Sequence, residues 1–298
     1  MSLRTLTRRV RRGVPSPVNA GLRRTALAWG MATSRWRMQP DLVVVGAQRC
    51  GTTTLFRLLA DHPDVVRPTL SKGTGYFDDS YRRGPRWYAG HFPLAPLARL
   101  RTRGRRPLTF EVSGYYLHHP LAAERIAHDL PGVKVVVMVR NPVDRAHSAH
   151  RHEQARGFDD LSFDEALAAE SARTAGEEER LAADPDHTSH THRHHAYVAR
   201  GEYARQIRRY VELLGADRVR VVEVERFYAD PVAEFARLQE WLGLRRCDPD
   251  EVPTWNARPR DALPAPTRAA LDERFSGADA HLAELLGRPP VWREAGAR

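Results

Sequence analysis

The sequence predicts an α/β protein in which a central, mostly parallel sheet lies between layers of helices. Three observations carry this prediction. Short apolar runs such as "DLVVVG", "LTFEV" and "VKVVVMV" are uninterrupted by polar residues, as expected of strands covered on both faces. Segments with apolar positions at helical spacing separate them, and such alternation implies right-handed β-α-β crossovers. The first run passes through a glycine-bearing loop straight into a helix in "DLVVVGAQRCGTTTL", residues 41–55. With 298 residues and 42% hydrophobic content, the chain can bury a sizeable core.

Residues 1–40 contain nine arginines and no acid, so the remaining 258 residues carry only about +1 of the formal +10. This stretch reads as a basic, flexible leader, able to make a weak peripheral contact with an anionic membrane surface. Residues 41–298 read as a single domain. Its elements are a strand ending at Gly46, a helix from Thr52, a strand over 108–112 and a helix in "PLAAERIAHDLPG". A strand over 133–139, a helix from Val143 to about Gly157 and a helix in "SFDEALAAESAR" follow, the last opening on a serine with glutamate three residues later. Residues 174–196 are polar and turn-rich and read as a long surface loop. Helix "EYARQIRRYVELLG", strand "RVRVVEVE", helix "DPVAEFARLQEWLGL" and a last helix around "PTRAALDERFSGADAHLAELLG" complete the domain.

Composition excludes several classes. The only cysteines are Cys50 and Cys247, without CxxC spacing, so neither a disulfide scaffold nor a structural zinc site is indicated. "TALAWGMAT" falls far short of the roughly 20 residues of a membrane span, and the chain reads as soluble and cytoplasmic, with at most a peripheral association at the inner face of the membrane. No nucleic-acid module or interleaved aromatic stripe accompanies the arginines, so no nucleic-acid partner is expected. The histidines of "HTSHTHRHH", 187–195, are close enough to capture a divalent ion adventitiously, but no functional metal site is expected.

Ligands of a parallel sheet sit at the carboxyl ends of its strands. In "GAQRCGTTT", Gly46 permits a sharp turn, Gly51 permits close approach to an anion, and Thr52, Thr53 and Thr54 bring amides and hydroxyls to a helix N-terminus. A nucleoside triphosphatase loop, GxxxxGK[ST], carries lysine after its second glycine; here Thr52 stands there, and the cation is Arg49, within the loop. At the end of the third strand, "RNPVDRAHS" places Arg140 eight residues before Ser148, and a helix starting at Pro142 brings the pair onto one anion. Two anion sites at neighbouring strand ends suit a nucleotide phosphorylated at both its 3′ and 5′ positions.

With both motifs present, the sequence resembles the sulfotransferases that use 3′-phosphoadenosine 5′-phosphosulfate, most of all bacterial relatives of the heparan sulfate sulfotransferase group. The likeness spans about residues 41–292 and includes "YFDDSYRRGPRWYAGHFP", "EVSGYYLHHPLAAERIAHDLPG" and "LLGRPPVW". It implies a three-layer, P-loop-like fold and no metal requirement. It further implies that Arg49, Cys50, Gly51, Thr52, Thr53 and Thr54 hold the 5′ phosphosulfate, with Arg49 where the family usually has lysine, and that Arg140 and Ser148 hold the 3′ phosphate. Arg258, in "WNARPRDALPAP", takes the place of a further phosphate contact.

One position departs from the family. Its members commonly have Lys-Glu before an aromatic pair, that glutamate being the catalytic base, whereas this chain reads "SKGTGYFDD": Lys72 is kept and Gly73 replaces the acid. Glu111, closing the second strand, is the leading substitute, with Asp78 and His91 behind it. The expected catalytic set is therefore Arg49, Lys72 and Glu111, moving a sulfuryl group to a hydroxyl or amine of a carbohydrate, glycolipid or small metabolite. The alternatives are an inactive nucleotide-binding homologue and a P-loop phosphotransferase. Tyr76, Phe77, Trp87, Tyr88, Tyr115 and Tyr116 either line an acceptor cleft or pack in the core.

Overall fold

The computed structural model of the chain describes residues 16–249, 252 and 263–294. In chain order the elements are α1 (Ser16–Ala32), β1 (Leu42–Gly46), α2 (Thr52–Asp61), α3 (Gly84–Ala89), α4 (Ala95–Arg101), β2 (Phe110–Val112), α5 (Ala122–Asp129), β3 (Lys134–Val139) and α6 (Pro142–Gln154). Then come α7 (Phe163–Thr174), α8 (Glu177–Ala183), α9 (His190–His194), α10 (Tyr203–Leu214), β4 (Val219–Glu223), α11 (Val224–Ala229), α12 (Pro231–Leu242), α13 (Ala265–Arg274) and α14 (Ser276–Leu286).

The four strands form one parallel sheet in the order β2-β1-β3-β4, flanked by helices. Every residue of β1 is buried, and so are all of β3 but Lys134, which is why both read as unbroken apolar runs. Burying each of their valines contributes about 1.5–3 kcal/mol relative to exposure. The chain leaves β1 toward β2 on one side and β3 on the other, so the strand order switches at β1. The crevice above the carboxyl ends of β1 and β3 is where an open α/β sheet binds ligands. A register shift between Val44 and Gly46 in the β1–β3 pairing lifts the chain into its loop at this point.

Three sequence expectations change. Residues 16–32, read as flexible leader, form α1; its alanines favour helix, and Leu27 and Met31 pack on the core. The stretch 174–196, read as surface loop, holds α8 and α9 with Leu181, Ser189, His192 and His195 buried. Ser189 caps α9 by accepting from the His192 amide at 3.1 Å, so the polar residues that suggested a loop build helix ends. The final helix divides at buried Phe275 into α13 and α14.

Candidate functional site

The loop after β1 is tied to β3 by the Ala47 amide, which donates to the Met138 carbonyl at 2.7 Å. Gly51 is the N-cap of α2 at φ 71°, and a β-carbon there would touch Tyr228 and Met138, so glycine serves both conformation and space. No side chain caps α2, which leaves its first amides directed out of the helix end, where an anion is stabilised. Arg49 also lies in the left-handed region, at φ 70°. That conformation costs a non-glycine residue about 1–3 kcal/mol and persists only where surroundings enforce it. Here Arg49 Nε donates to Ser148 Oγ at 3.0 Å, so the two motifs recognised separately in sequence are in direct contact.

Cys50 turns the other way. Its side chain is fully buried beside Tyr203, and burial pushes the thiol up to about 11. Any contact of Cys50 with the loop's ligand is therefore confined to its backbone. Thr54 is likewise committed, with its hydroxyl 2.9 Å from that of Tyr228. Thr52 and Thr53 accept from Lys72 Nζ at 3.1 and 3.2 Å. Burial and the neighbouring Arg57 lower the Lys72 ammonium to about 8, which marks a cation held where a bound anion would compensate it.

Lys72 arrives there because its carbonyl accepts from the Val112 amide at 3.1 Å, laying residue 72 alongside β2. The same approach explains Gly73. A β-carbon at this position would lie 2.4 Å from the Val112 carbonyl oxygen, well inside van der Waals contact. Any side chain at this position would therefore require the backbone beside β2 to shift, which favours glycine here.

At the end of β3, Asn141 caps α6 by accepting from the amides of Val143 (3.0 Å) and Asp144 (3.3 Å), with Pro142 opening the first turn. Arg140 is nearly buried, with its guanidinium 3.8 Å from Asp144, and Tyr203 donates to its carbonyl at 2.9 Å. Arg268 of α13 reaches the same Asp144 at 2.7 Å, which brings a second cation to this end. Arg258 lies outside the described residues.

Glu111 pairs in register with Val43 and is fully buried. One carboxylate oxygen accepts from the Thr74 amide and hydroxyl, both at 2.6 Å, and from Tyr116 at 2.8 Å; the other accepts from Tyr88 at 2.8 Å. Burial still pushes its pKa up. The expectation that Glu111 takes an acceptor's proton thus meets a carboxylate enclosed by four donors, which braces the segment after Lys72. His91 is also internal, with Nδ1 3.0 Å from the Trp87 carbonyl. The aromatic residues divide: Tyr76 stacks on Tyr88, and Phe77 sits edge-on to Tyr88 and Tyr116, so these form core. Asp78 is also buried, but its Oδ2 lacks a hydrogen-bond partner and lies 4.0 Å from Arg193.

The histidines of 187–195 fan out to separate partners. His187 meets Glu177 (3.1 Å), His192 meets Tyr115 (2.8 Å) and stacks on His118, His194 meets Glu153 (3.0 Å), and His195 meets the Phe158 carbonyl (2.8 Å). No group of three or more His, Cys, Asp or Glu side chains among the described residues is arranged around a common metal position. Beside them opens a cavity of about 330 Å³ lined by Asp79, Arg156, Thr188, Ser189, His190, Arg193 and His194. Glu153 links this cavity to the first loop: its carboxylate accepts from Gln48 (2.8 Å) and from Arg156 (3.3 Å) and also meets His194.

Gln48, Glu153, Arg268 and Tyr228 were not singled out in sequence. Only Gln48, inside the glycine loop, carried a local signal; the others are brought in by helices distant along the chain.

A parallel α/β sheet flanked by helices, with the loop after β1 and the first turns of α6 in contact at its switch point, has the layout of P-loop-like proteins. The chain belongs to the sulfotransferase domain family, whose model matches residues 39–253. It is similar to a crystal structure of a sulfotransferase from Alicyclobacillus acidocaldarius, at 30% identity and a TM-score of 0.63, with 86% of this chain and all of that one covered. It is 29% identical over 253 residues to mouse heparan sulfate glucosamine 3-O-sulfotransferase 6, covering 82% of this chain and 65% of that protein. Against the Caenorhabditis elegans bifunctional heparan sulfate N-deacetylase/N-sulfotransferase 1 it is 26% identical over 69% of its length, and there it spans 22% of the longer protein.

Proposed function

We propose that this chain transfers a sulfuryl group from 3′-phosphoadenosine 5′-phosphosulfate to a hydroxyl or amine of a glycan or glycan-like acceptor. The observation that carries the reading is the Arg49–Ser148 contact, which makes one continuous cradle of the loop after β1 and the first turns of α6. In this reading the α2 amides, Thr52, Thr53 and Lys72 hold the 5′ end. Arg140 and Ser148 hold the 3′ phosphate, with Arg268 close by.

Chemically, the acceptor oxygen or nitrogen forms a bond to sulfur as the bond from sulfur to the phosphate oxygen breaks in line with it. Arg49 and Lys72 stabilise the negative charge arriving on that phosphate oxygen. The acceptor proton must leave at the same stage, and we assign it to Asp78 rather than Glu111. Burial raises both carboxyls, but of the two only Asp78 keeps an oxygen without a hydrogen-bond partner, 4.0 Å from Arg193 at the cavity beside α9. The cavity bearing Arg156, Arg193, Thr188 and Ser189 suits an acceptor rich in hydroxyl and anionic groups, as the glycans named for the relatives imply.

Incubation with 35S-labelled donor and a panel of glycans and hydroxylated metabolites tests the reading. Transfer without added metal is the expected result. Donor binding with no transfer to any acceptor favours an inactive nucleotide-binding homologue, and magnesium-dependent ATP binding without affinity for adenosine 3′,5′-bisphosphate favours a phosphotransferase.

A further inference from the structure

Two stretches of the chain contain no acidic residue: 1–40, with nine arginines, and 80–110, with eight. Removing these seventeen charges from the formal +10 leaves −7 on all other residues together. The described part of the first stretch, from residue 16, meets the second in the fold. Arg37 donates to the carbonyls of Phe92 and Gly90 and pairs as an antiparallel bridge with Leu94, and the Met38 amide donates to Pro93 at 2.9 Å. Helix α1 packs on α3 so closely that a β-carbon on Gly30 would lie 2.5 Å from the Gly90 carbonyl oxygen. Among the described residues, Arg23, Arg24, Arg35 and Arg37 of the first stretch are thus brought beside the arginines of the second, near the amino ends of β1 and β2. The nucleotide loops lie at the strands' carboxyl ends.

The same pole exposes apolar side chains. Leu22, Trp29, Trp36, Leu97 and Leu100 are between 49% and 77% exposed, and only Leu213 and Val232 join them among the exposed large hydrophobic residues described. Leu22 and Trp29, seven apart on α1, share a stripe facing away from Leu27 and Met31, which pack on the core. On α4, Leu97 and Leu100 share one face while Ala98 is buried beneath. Arg35 lies over the Trp36 ring at 4.2 Å.

We propose that this pole is a docking face for an anionic lipid surface: tryptophans and leucines enter the headgroup boundary while the arginines meet lipid phosphates. Charge decides among occupants. A second copy would bring one arginine-rich pole against another, and a nucleic acid would use the arginines but leave the leucines at the helix crests without a role. A lipid surface uses both.

Co-sedimentation of the full chain with vesicles of phosphatidylcholine, alone or mixed with phosphatidylglycerol, tests this. Partitioning should be at least about tenfold stronger on the anionic vesicles and fall with salt. Leu97→Ser with Leu100→Ser should weaken it about tenfold, and Arg99→Glu with Arg101→Glu should do so independently. Both variants alter exposed residues, so an unchanged thermal melt verifies their folding, and brominated lipid should quench the tryptophans of the parent protein. The proposal is overturned if the chain ignores anionic vesicles or if the leucine variant binds them as well as the parent. It is equally overturned by self-association that the leucine variant abolishes, or by duplex RNA competing the chain off the vesicles with its RNA affinity unchanged in that variant.

Discussion

Arg49 and Ser148 lie ninety-nine residues apart in sequence, yet Arg49 Nε donates to Ser148 Oγ at 3.0 Å across the crevice between β1 and β3. One residue belongs to the loop assigned to the 5′ phosphosulfate, the other to the motif assigned to the 3′ phosphate. The two halves of the cradle are therefore coupled before any ligand arrives.

That coupling makes Arg49 and Ser148 separable by a double-mutant cycle. Arg49→Ala is expected to lower kcat by about 10²–10³-fold while changing donor affinity only several-fold, because its charge acts on the leaving oxygen. Ser148→Ala and Arg140→Ala should instead weaken adenosine 3′,5′-bisphosphate binding by calorimetry, Arg140→Ala by about tenfold or more. Their effects should be non-additive for Arg49 with Ser148, by about 0.5–3 kcal/mol. Equal nucleotide affinity in Arg140→Ala would remove the 3′-phosphate assignment.

Lys72 gives the nucleotide affinity a pH dependence of defined sign. Its pKa in the folded chain is lowered to about 8, so the folded state holds fewer protons than the unfolded one between about 8 and 10.5, and this contribution to stability rises with pH over that window. A bound anion favours the protonated ammonium. Affinity for adenosine bisphosphate should hold below about pH 8 and decline above it, with proton uptake on binding near that pH. In Lys72→Met both effects should disappear, which calorimetry in buffers of different ionisation enthalpy measures.

The two carboxylates should part company in kinetics. Asp78→Asn is expected to reduce kcat by about 10²–10⁴-fold, abolish the acidic limb of its pH profile and leave donor affinity intact. Glu111→Gln should keep the shape of the profile but lower stability by about 1.5–3 kcal/mol, since its carboxylate accepts from Thr74, Tyr88 and Tyr116. A pH profile altered by Glu111→Gln and untouched by Asp78→Asn reverses the assignment.

Gly73→Ala should destabilise the fold by about 1–3 kcal/mol in denaturant titration, because the added methyl meets the Val112 carbonyl at the edge of the site. Gly73→Glu should do so more strongly, without raising the rate of transfer. An unchanged midpoint for Gly73→Ala would mean that the contact relaxes freely.

The sheet was readable because strands covered on both faces, such as Leu42–Gly46 and Lys134–Val139, leave no polar interruption in the sequence. The helices α1, α8 and α9 were not. Their arginine, glutamate and histidine content resembles a solvated segment, and single anchors such as Leu27 and Leu181 give no periodic signal. At the site, the eight-residue interval from Arg140 to Ser148 is a local pattern, so it could be seen. Glu111's surroundings could not, because Thr74, Tyr88 and Tyr116 come from three segments whose meeting is a property of the fold.

The 2.4 Å approach at Gly73 also makes residue 73 a gauge of how tightly the Lys72 segment is clamped to β2. Any side chain there must push the backbone beside β2 outward, and with it Lys72, whose carbonyl accepts from the Val112 amide. The seam between residues 72–73 and Val112 thereby sets where the Lys72 ammonium stands over Thr52 and Thr53.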